Sequence, residues 1–286
     1  MKGIVLAGGQ GSRLFPITLG ISKQLVPIFD KPMIYYPISV LMLAGIRDIL
    51  IISDPQSLPN YKKLLGNGNQ LGVNFSYKIQ ERPSGLPEAF IIGEDFIEDD
   101  NVALILGDNI FYGSQLSGSL NRAKNEIGGG TCFAYQVSDA RDFGVVEFNS
   151  SGGVVSIEEK PANPKSNYAI TGLYYFDKRV CEISRKLQPS NRGELEIVDV
   201  LRAYLNTNEL DVEQLGRGFT WLDTGTPENL HKASSFVETV QTNQGFSIGA
   251  LEEIALRQNW ISELDLSSYL DNKPANSYFN YLRGLI

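Results

Sequence analysis

The chain has 286 residues, 42% hydrophobic and 20% charged, with a formal net charge of −8. That length buries a full core, in one large domain or one with an appendage. The acidic balance, with no basic run longer than Lys62-Lys63, excludes nucleic acid and anionic membrane as bulk partners, since both demand a positive footprint.

In chain order, Ile4–Ala7, Ile49–Ser53, Phe75–Ile79 and Val102–Leu106 read as strands of a parallel sheet covered on both faces. Helical patterns at Met33–Ala44, Leu58–Leu65 and Pro87–Phe96 alternate with them, so a Rossmann-like doubly wound α/β fold is predicted, its mixed sheet flanked by helices. From Thr131 the strands crowd together, at Thr131–Val137, Val145–Phe148, Val154–Glu158 and Ile170–Phe176, with a hairpin turn at Ser150–Gly153. These predict antiparallel additions. A helix at Glu194–Leu205, strands around Val212–Leu215 and Phe219–Leu222, and a helix from Pro227 to Thr242 complete a core spanning 1–243, with a nucleotide half to about 130 and a second half from 131. Residues 244–286 read as a helical segment that packs on the core or on a second subunit, its aromatic residues slightly favouring the subunit. No apolar run reaches the roughly 20 residues of a membrane span. Met1-Lys2-Gly3 runs directly into a strand, and Cys132 and Cys181 sit singly in apolar strings, so a leaderless cytoplasmic protein is expected.

Chemistry concentrates first where Ile4–Ala7 empties into Gly8-Gly9-Gln10-Gly11-Ser12-Arg13, with Lys23 following. Glycines let backbone N–H groups close on phosphate, and Arg13 and Lys23 add fixed positive charge. The loop is neither a dinucleotide fingerprint, since Leu14 takes the place of its third glycine, nor a P-loop, since Arg13-Leu14-Phe15 stands where Gly-Lys-Ser/Thr is required. Asp108 leaves the apolar strand Val102–Leu106, and Asp223 follows Phe219–Leu222. Each alone reads as a turn or cap aspartate, but two of them beside a triphosphate grip suit Mg²⁺, which takes one or two carboxylates plus phosphate oxygens and water. Glu158–Pro161 on its own reads as a solvated charged strand end before a proline, although Lys160 can hold a second phosphate and Glu159 can accept from hydroxyls. Gly172 inside a strand marks a close approach. The single histidine, His231, lies in the helix after Pro227, so the chemistry must run without a histidine base or a thiolate.

At Leu6–Leu14 with Ser22–Pro27 the chain resembles the sugar-1-phosphate nucleotidylyltransferases. Further matching blocks are Asp30–Pro37, Leu106–Ile110, Phe143–Phe148, Glu158–Pro161, Arg192–Glu196 and Trp221–Thr226, in family order over nearly the whole chain. The resemblance implies transfer of thymidylyl from dTTP to glucose 1-phosphate with Mg²⁺ as cofactor, a homotetramer, feedback inhibition by a dTDP-sugar, and a product that feeds deoxysugar and surface-polysaccharide synthesis. By the same resemblance Gly8, Gly11, Ser12 and Arg13 would grip the triphosphate, with Arg13 and Lys23 on the departing pyrophosphate. Gln24 would lie at the nucleotide, and Gln80 and Gly85 would read the base. Asp108 and Asp223 would hold the metal. Asn109, Gly144, Glu159, Ile170 and Tyr174 would meet the sugar, with Lys160 on its phosphate and Arg192 near the same pocket. Ser12 stands where threonine is common, Phe143 where tyrosine is frequent, and Glu81–Ser84 and Pro87-Glu88 depart from the usual base loop. The alternatives are the same reaction with UTP or another triphosphate, a silent nucleotide-sugar-binding subunit and, least favoured, a dinucleotide-dependent oxidoreductase.

Overall fold

The structure, a computed structural model, describes residues 1–286. Strand β1 (Lys2–Leu6) holds the centre of a nine-stranded sheet, where Ile4 and Val5 are wholly buried. The chain then runs through three 3₁₀ turns, at Ser12–Leu14, Ile17–Leu19 and Lys23–Leu25, and a short ribbon of β2 (Pro27–Ile28) and β3 (Lys31–Pro32). Helix α1 (Tyr35–Leu43) is buried on all sides from Tyr36 to Met42, and Pro37 lies in its first turn, where a missing N–H costs nothing. Strand β4 (Asp48–Ser53), helix α2 (Leu58–Leu65) and strand β5 (Asn74–Ile79) follow.

The predicted helix at Pro87–Phe96 is two short ones, α3 (Glu88–Ile92) and α4 (Glu94–Ile97). Gly93 divides them because the helix presses on the sheet there: a Cβ would lie 3.0 Å from Ile4 Cδ1. Strand β6 (Val102–Leu106) pairs in parallel with β1, and β4 and β5 extend the parallel block on the other side. Past the Gly107-Asp108 turn come β7 (Asn109–Gly113) and α5 (Leu116–Asn125), neither of which the sequence reading separated out.

The second half carries β8 (Gly130–Gln136), β9 (Gly144–Phe148), β10 (Val154–Glu159) and β11 (Tyr168–Phe176). Strand β11 runs antiparallel to β6 and so splices this half onto the parallel block. The β9–β10 hairpin forms as predicted, and the Asn149 carboxamide closes it by accepting from the Ser151 and Gly153 amides at 3.0 and 2.8 Å. Helices α6 (Val180–Lys186) and α7 (Ile197–Asn206) and strands β12 (Leu210–Leu215) and β13 (Phe219–Asp223) come next. Helix α7 begins three residues later than predicted because Leu195 forms a bridge with Gly85. Thr226 caps α8 (Pro227–Gln244), and α9 (Leu251–Arg257), α10 (Glu263–Leu270) and α11 (Ser277–Arg283) end the chain.

Two large apolar clusters cover the opposite faces of the sheet, as a doubly wound fold requires. The C-terminal helices belong to the first of them: Leu251, Ala255, Leu266, Leu270 and Leu282 are buried in the same cluster as β1 and α1. Their aromatic residues point inward as well, with Tyr278 and Tyr281 hydroxyls donating to Glu252 and Glu253 at 2.5 and 2.6 Å. Within one chain, then, the aromatic content of this segment is already used in docking it. No helix is long and apolar enough to cross a membrane.

Candidate active site

Strands β1 and β6 both deliver their carboxyl ends to one edge of the sheet. The glycine loop leaves one of them and Gly107-Asp108 the other. The second aspartate reaches that edge by a different route. Strand β13 pairs antiparallel with β7 so that Asp223 stands opposite Asn109, which brings the two carboxylates together. Thr224 fixes the junction by donating both its N–H and its hydroxyl to the Asp108 carbonyl, at 3.1 and 2.7 Å.

The electrostatics of the pair are asymmetric. Burial pushes the Asp108 carboxyl up, but Lys23, paired to it, and a hydrogen bond from Asn109 outweigh burial and hold it below the usual range. Asp223 is pushed up by burial and then by the Asp108 charge, with Lys23 and Arg13 opposing. Two half-buried carboxylates that repel each other form a place for a cation. No third acid, histidine or cysteine joins them. The donor set fits an ion that fills its remaining positions with phosphate oxygens and water, as Mg²⁺ does, and does not fit a closed structural metal.

The glycine loop is held from behind. Gln24 is buried, its amide donating to the Gly8 carbonyl at 3.3 Å and accepting from Ser22 and Tyr61 hydroxyls at 3.0 and 3.1 Å. It lines none of the cavities described below, and its three hydrogen bonds brace the loop from behind. Gly11 has a left-handed φ of 59°, and Thr18 donates to its carbonyl at 2.8 Å. Arg13 swings across the site to Gly225, whose absent Cβ leaves room for the guanidinium: a Cβ there would lie 2.5 Å from Nη2. Ser12 likewise lines none of the cavities.

Three cavities open at this edge. The widest, about 670 Å³, is lined by Gly8, Gln10, Ser22, Asp54 and Gln80, and two smaller ones accompany it. The first of these, about 250 Å³, is lined by Gly8, Gly9, Gln80 and Gly85, with Arg192 on its far side. The second, about 200 Å³, is lined by Arg13, Asp108 and Asp223 together with Asn109, Gly144, Ile170 and Tyr174. Glu159 and Lys160 line both. Lys160 holds φ at 43°, a strained value for a side-chain-bearing residue, and so turns the chain at the junction of the two. Burial raises the Glu159 carboxyl against the pull of Lys160 and Arg192. Arg192 differs from its expected position: it lies on the first cavity and not the second, tied to Glu196 at 2.6 Å and to Glu159 at 3.3 Å.

Asn109 and Gly172 stand out in the sequence, but the contacts that fix them do not. Asn109 Oδ1 accepts from the Trp221 indole at 2.6 Å and from the Gly172 amide at 3.0 Å, which fixes its carboxamide, and β11 is irregular at that point. Gly172 is obligatory, since a Cβ would lie 2.6 Å from Asn109 Oδ1. Thr171, wholly buried on the second cavity, has a hydroxyl with no protein partner. The tryptophan beside Asp223 was the available signal, because a buried indole N–H needs an acceptor. Trp221→Phe is expected to cost about 1–2 kcal/mol by leaving Asn109 under-satisfied. A urea melt measures this, and an unchanged midpoint would show that the indole bond contributes nothing.

The likeness to known proteins agrees with this geometry. A profile of the Nucleotidyl transferase family matches residues 2–240. A glucose-1-phosphate thymidylyltransferase of Neisseria meningitidis is 56% identical over 286 residues, covering 100% of this chain and 99% of the relative. The enzyme of that name from Mycobacterium tuberculosis is 52% identical with the same coverage. A Bacillus anthracis structure, assigned as a glucose-1-phosphate thymidylyltransferase and solved with a sucrose, superposes with a TM-score of 0.77 at 38% identity, covering 82% of this chain and 94% of the other. A UDP-glucose pyrophosphorylase complexed with UDP-glucose gives 0.74 at 25% identity, over 84% and 98%. The chain belongs to the nucleotidyl transferase family, among whose members the glucose-1-phosphate thymidylyltransferases are similar to it from end to end.

Proposed function

We propose that the protein transfers the thymidylyl group of dTTP to α-D-glucose 1-phosphate, releasing pyrophosphate and forming dTDP-glucose. The observation that carries this reading is a pair of cavities that share Glu159 and Lys160, one opening at the glycine loop and the other lined by Arg13, Asp108 and Asp223. One cavity takes the nucleoside against the glycine loop, and the other takes the sugar against Asn109, Gly144 and Ile170. Asp108 and Asp223 would hold a Mg²⁺ ion, whose positive charge would neutralise the triphosphate oxygens.

A sugar phosphate with a second pKa near 6 is already mostly a dianion at pH 7, so no general base is needed. The obstacle is repulsion between two polyanions, and fixed positive charge offsets it. Lys160 holds the sugar phosphate where the cavities join, facing the α-phosphorus, and Arg13 and Lys23 draw the charge of the departing pyrophosphate. Glu159, Thr171 and the fixed Asn109 carboxamide supply partners for sugar hydroxyls.

The reading extends to regulation. A separate cavity of about 380 Å³ between β7 and α9, lined by Leu43, Tyr112, Phe246, Ile254 and the Arg257–Glu253 ion pair, offers apolar walls and a guanidinium to a dTDP-sugar feedback inhibitor. The assembly is a homotetramer in the cytoplasm. Pyrophosphate release from each dNTP and UTP, with glucose 1-phosphate and Mg²⁺ and with or without an added dTDP-sugar, tests all of this but the assembly and its location. Turnover is expected with dTTP, with a smaller rate for UTP, because one methyl discriminates by only about 1–3 kcal/mol. Inhibition by the dTDP-sugar should persist when both substrates saturate. No turnover with any triphosphate would end the reading, and sedimentation as a monomer would end the tetramer.

A further inference from the structure

The buried carboxamide at the base end of the nucleotide cavity is not free to turn. Gln80 is only 6% exposed, lies against Gly8 and lines the first cavity. Its Nε2 donates to Glu88 Oε2 at 2.7 Å. Glu88 itself is half-buried at the start of α3, has no cationic partner and does not line the cavity. A carboxylate can only accept, so it dictates which end of the amide faces it. The opposite end, Oε1, is thereby turned toward Gly8, lying 2.9 Å from where a Cβ on that glycine would stand.

We infer that Glu88 is a positioning residue that locks the Gln80 amide in the orientation that accepts the imide N–H of a pyrimidine, and so selects thymine and uracil against cytosine. The inference rests on the dTTP reading and deepens it. Thymine presents an N3–H donor beside the O4 acceptor. An amide with Oε1 forward and its second N–H free matches that pair. Cytosine presents the mirror pattern, an N3 acceptor beside an N4–H₂ donor, and would require the amide to flip. Flipping would set Gln80 Oε1 against the Glu88 carboxylate, two acceptors with no proton between them. The selection is therefore made by a charge one residue behind the surface that touches the base. Glu88 as an ordinary first-turn acid, favourable at a helix start, makes a different prediction, because that role treats all nucleotides alike.

Calorimetric titration with dTTP and with dCTP in Mg²⁺ buffer tests this on the intact protein, for the wild type, Glu88→Gln and Glu88→Ala. The side chain is only half-buried, and a melting curve checks that each variant folds. Neither glutamine nor alanine dictates the amide orientation, so the dTTP-over-dCTP affinity ratio is expected to fall by about tenfold or more in both. A ratio that stays within about fivefold of wild type in either folded variant, or a parallel loss for both nucleotides, overturns the inference. Pyrophosphate release by the wild type from dTTP and glucose 1-phosphate is measured alongside. Its absence would remove the transferase reading while the binding ratio would still decide the role of Glu88.

Discussion

Asp108→Asn is expected to lower turnover by about 100- to 1,000-fold while the protein stays folded. The amide keeps the shape of the side chain and the backbone carbonyl that Thr224 grips, so the β7–β13 junction survives. What is lost is one of only two negative charges able to hold a divalent cation at this edge. Lys23 loses its ion-pair partner, but it also lies close enough to Asp223 to pull that carboxyl down, and the buried ammonium is not left alone. With the Asp108 charge gone, the repulsion that raises Asp223 disappears, so the remaining carboxylate is ionised more readily. Raising Mg²⁺ should recover part of the rate, since the defect is one of affinity as well as of charge. Initial rates across a Mg²⁺ series check this. Near-wild-type turnover at low Mg²⁺ would take Asp108 out of the metal site.

Gly85→Ala should be the most disruptive single methyl in the nucleotide half. Gly85 holds φ at 105°, in the region glycine favours, and bridges Leu195 across the mouth of the first cavity. A Cβ would sit 2.6 Å from the Leu195 amide nitrogen and closer still to its carbonyl oxygen, both of them backbone atoms that cannot step aside. The bridge must open, and with it the Leu195 N–H to Ser84 carbonyl bond of 2.8 Å. That bridge is the direct tie between the base loop and the segment carrying Arg192 and Glu196. The expected result is a loss of about 3 kcal/mol in stability, from the backbone strain and the lost contact together. In parallel the KM for dTTP should rise about tenfold with a smaller change in the KM for glucose 1-phosphate, because the loop reaches the sugar cavity only through Leu86. An unchanged urea midpoint would show that the loop yields without strain.

The fold was legible wherever periodicity and burial agree. Strands β1, β4 and β6 are unbroken apolar runs because both faces of a parallel sheet are covered, and helix α8 announces itself by Thr226 and Pro227. The base loop was less legible. Pro87–Phe96 carries a helical pattern, yet Gly93 lies against Ile4 and the helix restarts, a tertiary contact that no local rule contains. Helix α7 starts late for a similar reason, since Leu195 is held by Gly85, far away in sequence. Strand β7 does not declare itself because Asn109–Gly113 follows directly on the Gly107-Asp108 turn, and its only strand partner is the distant β13. That pairing is also what brings Asp223 to Asp108, so the sequence could name both aspartates without showing why they meet.

The site divides in the same way. Glycines, paired acids and lysines are chemically conspicuous, and they were found from the residues. Braces are not. Gln24 reads as one polar residue in a motif, and only its three hydrogen bonds reveal that it holds the loop from behind. Arg192 sits beside Glu194 and Glu196 in sequence, but its position on the nucleotide side follows from the direction in which Glu196 pulls it. Glu88, the first residue of α3, gains meaning only from the amide it faces.

The most direct measurement of the central claim follows the label. Protein incubated with [α-³²P]dTTP, glucose 1-phosphate and Mg²⁺ should convert the label into dTDP-glucose while releasing unlabelled pyrophosphate. Asp108→Asn and Lys160→Ala should each suppress that conversion. Label that stays in dTTP, or that appears in dTDP-glucose at the same rate in the wild type and both variants, would contradict the account.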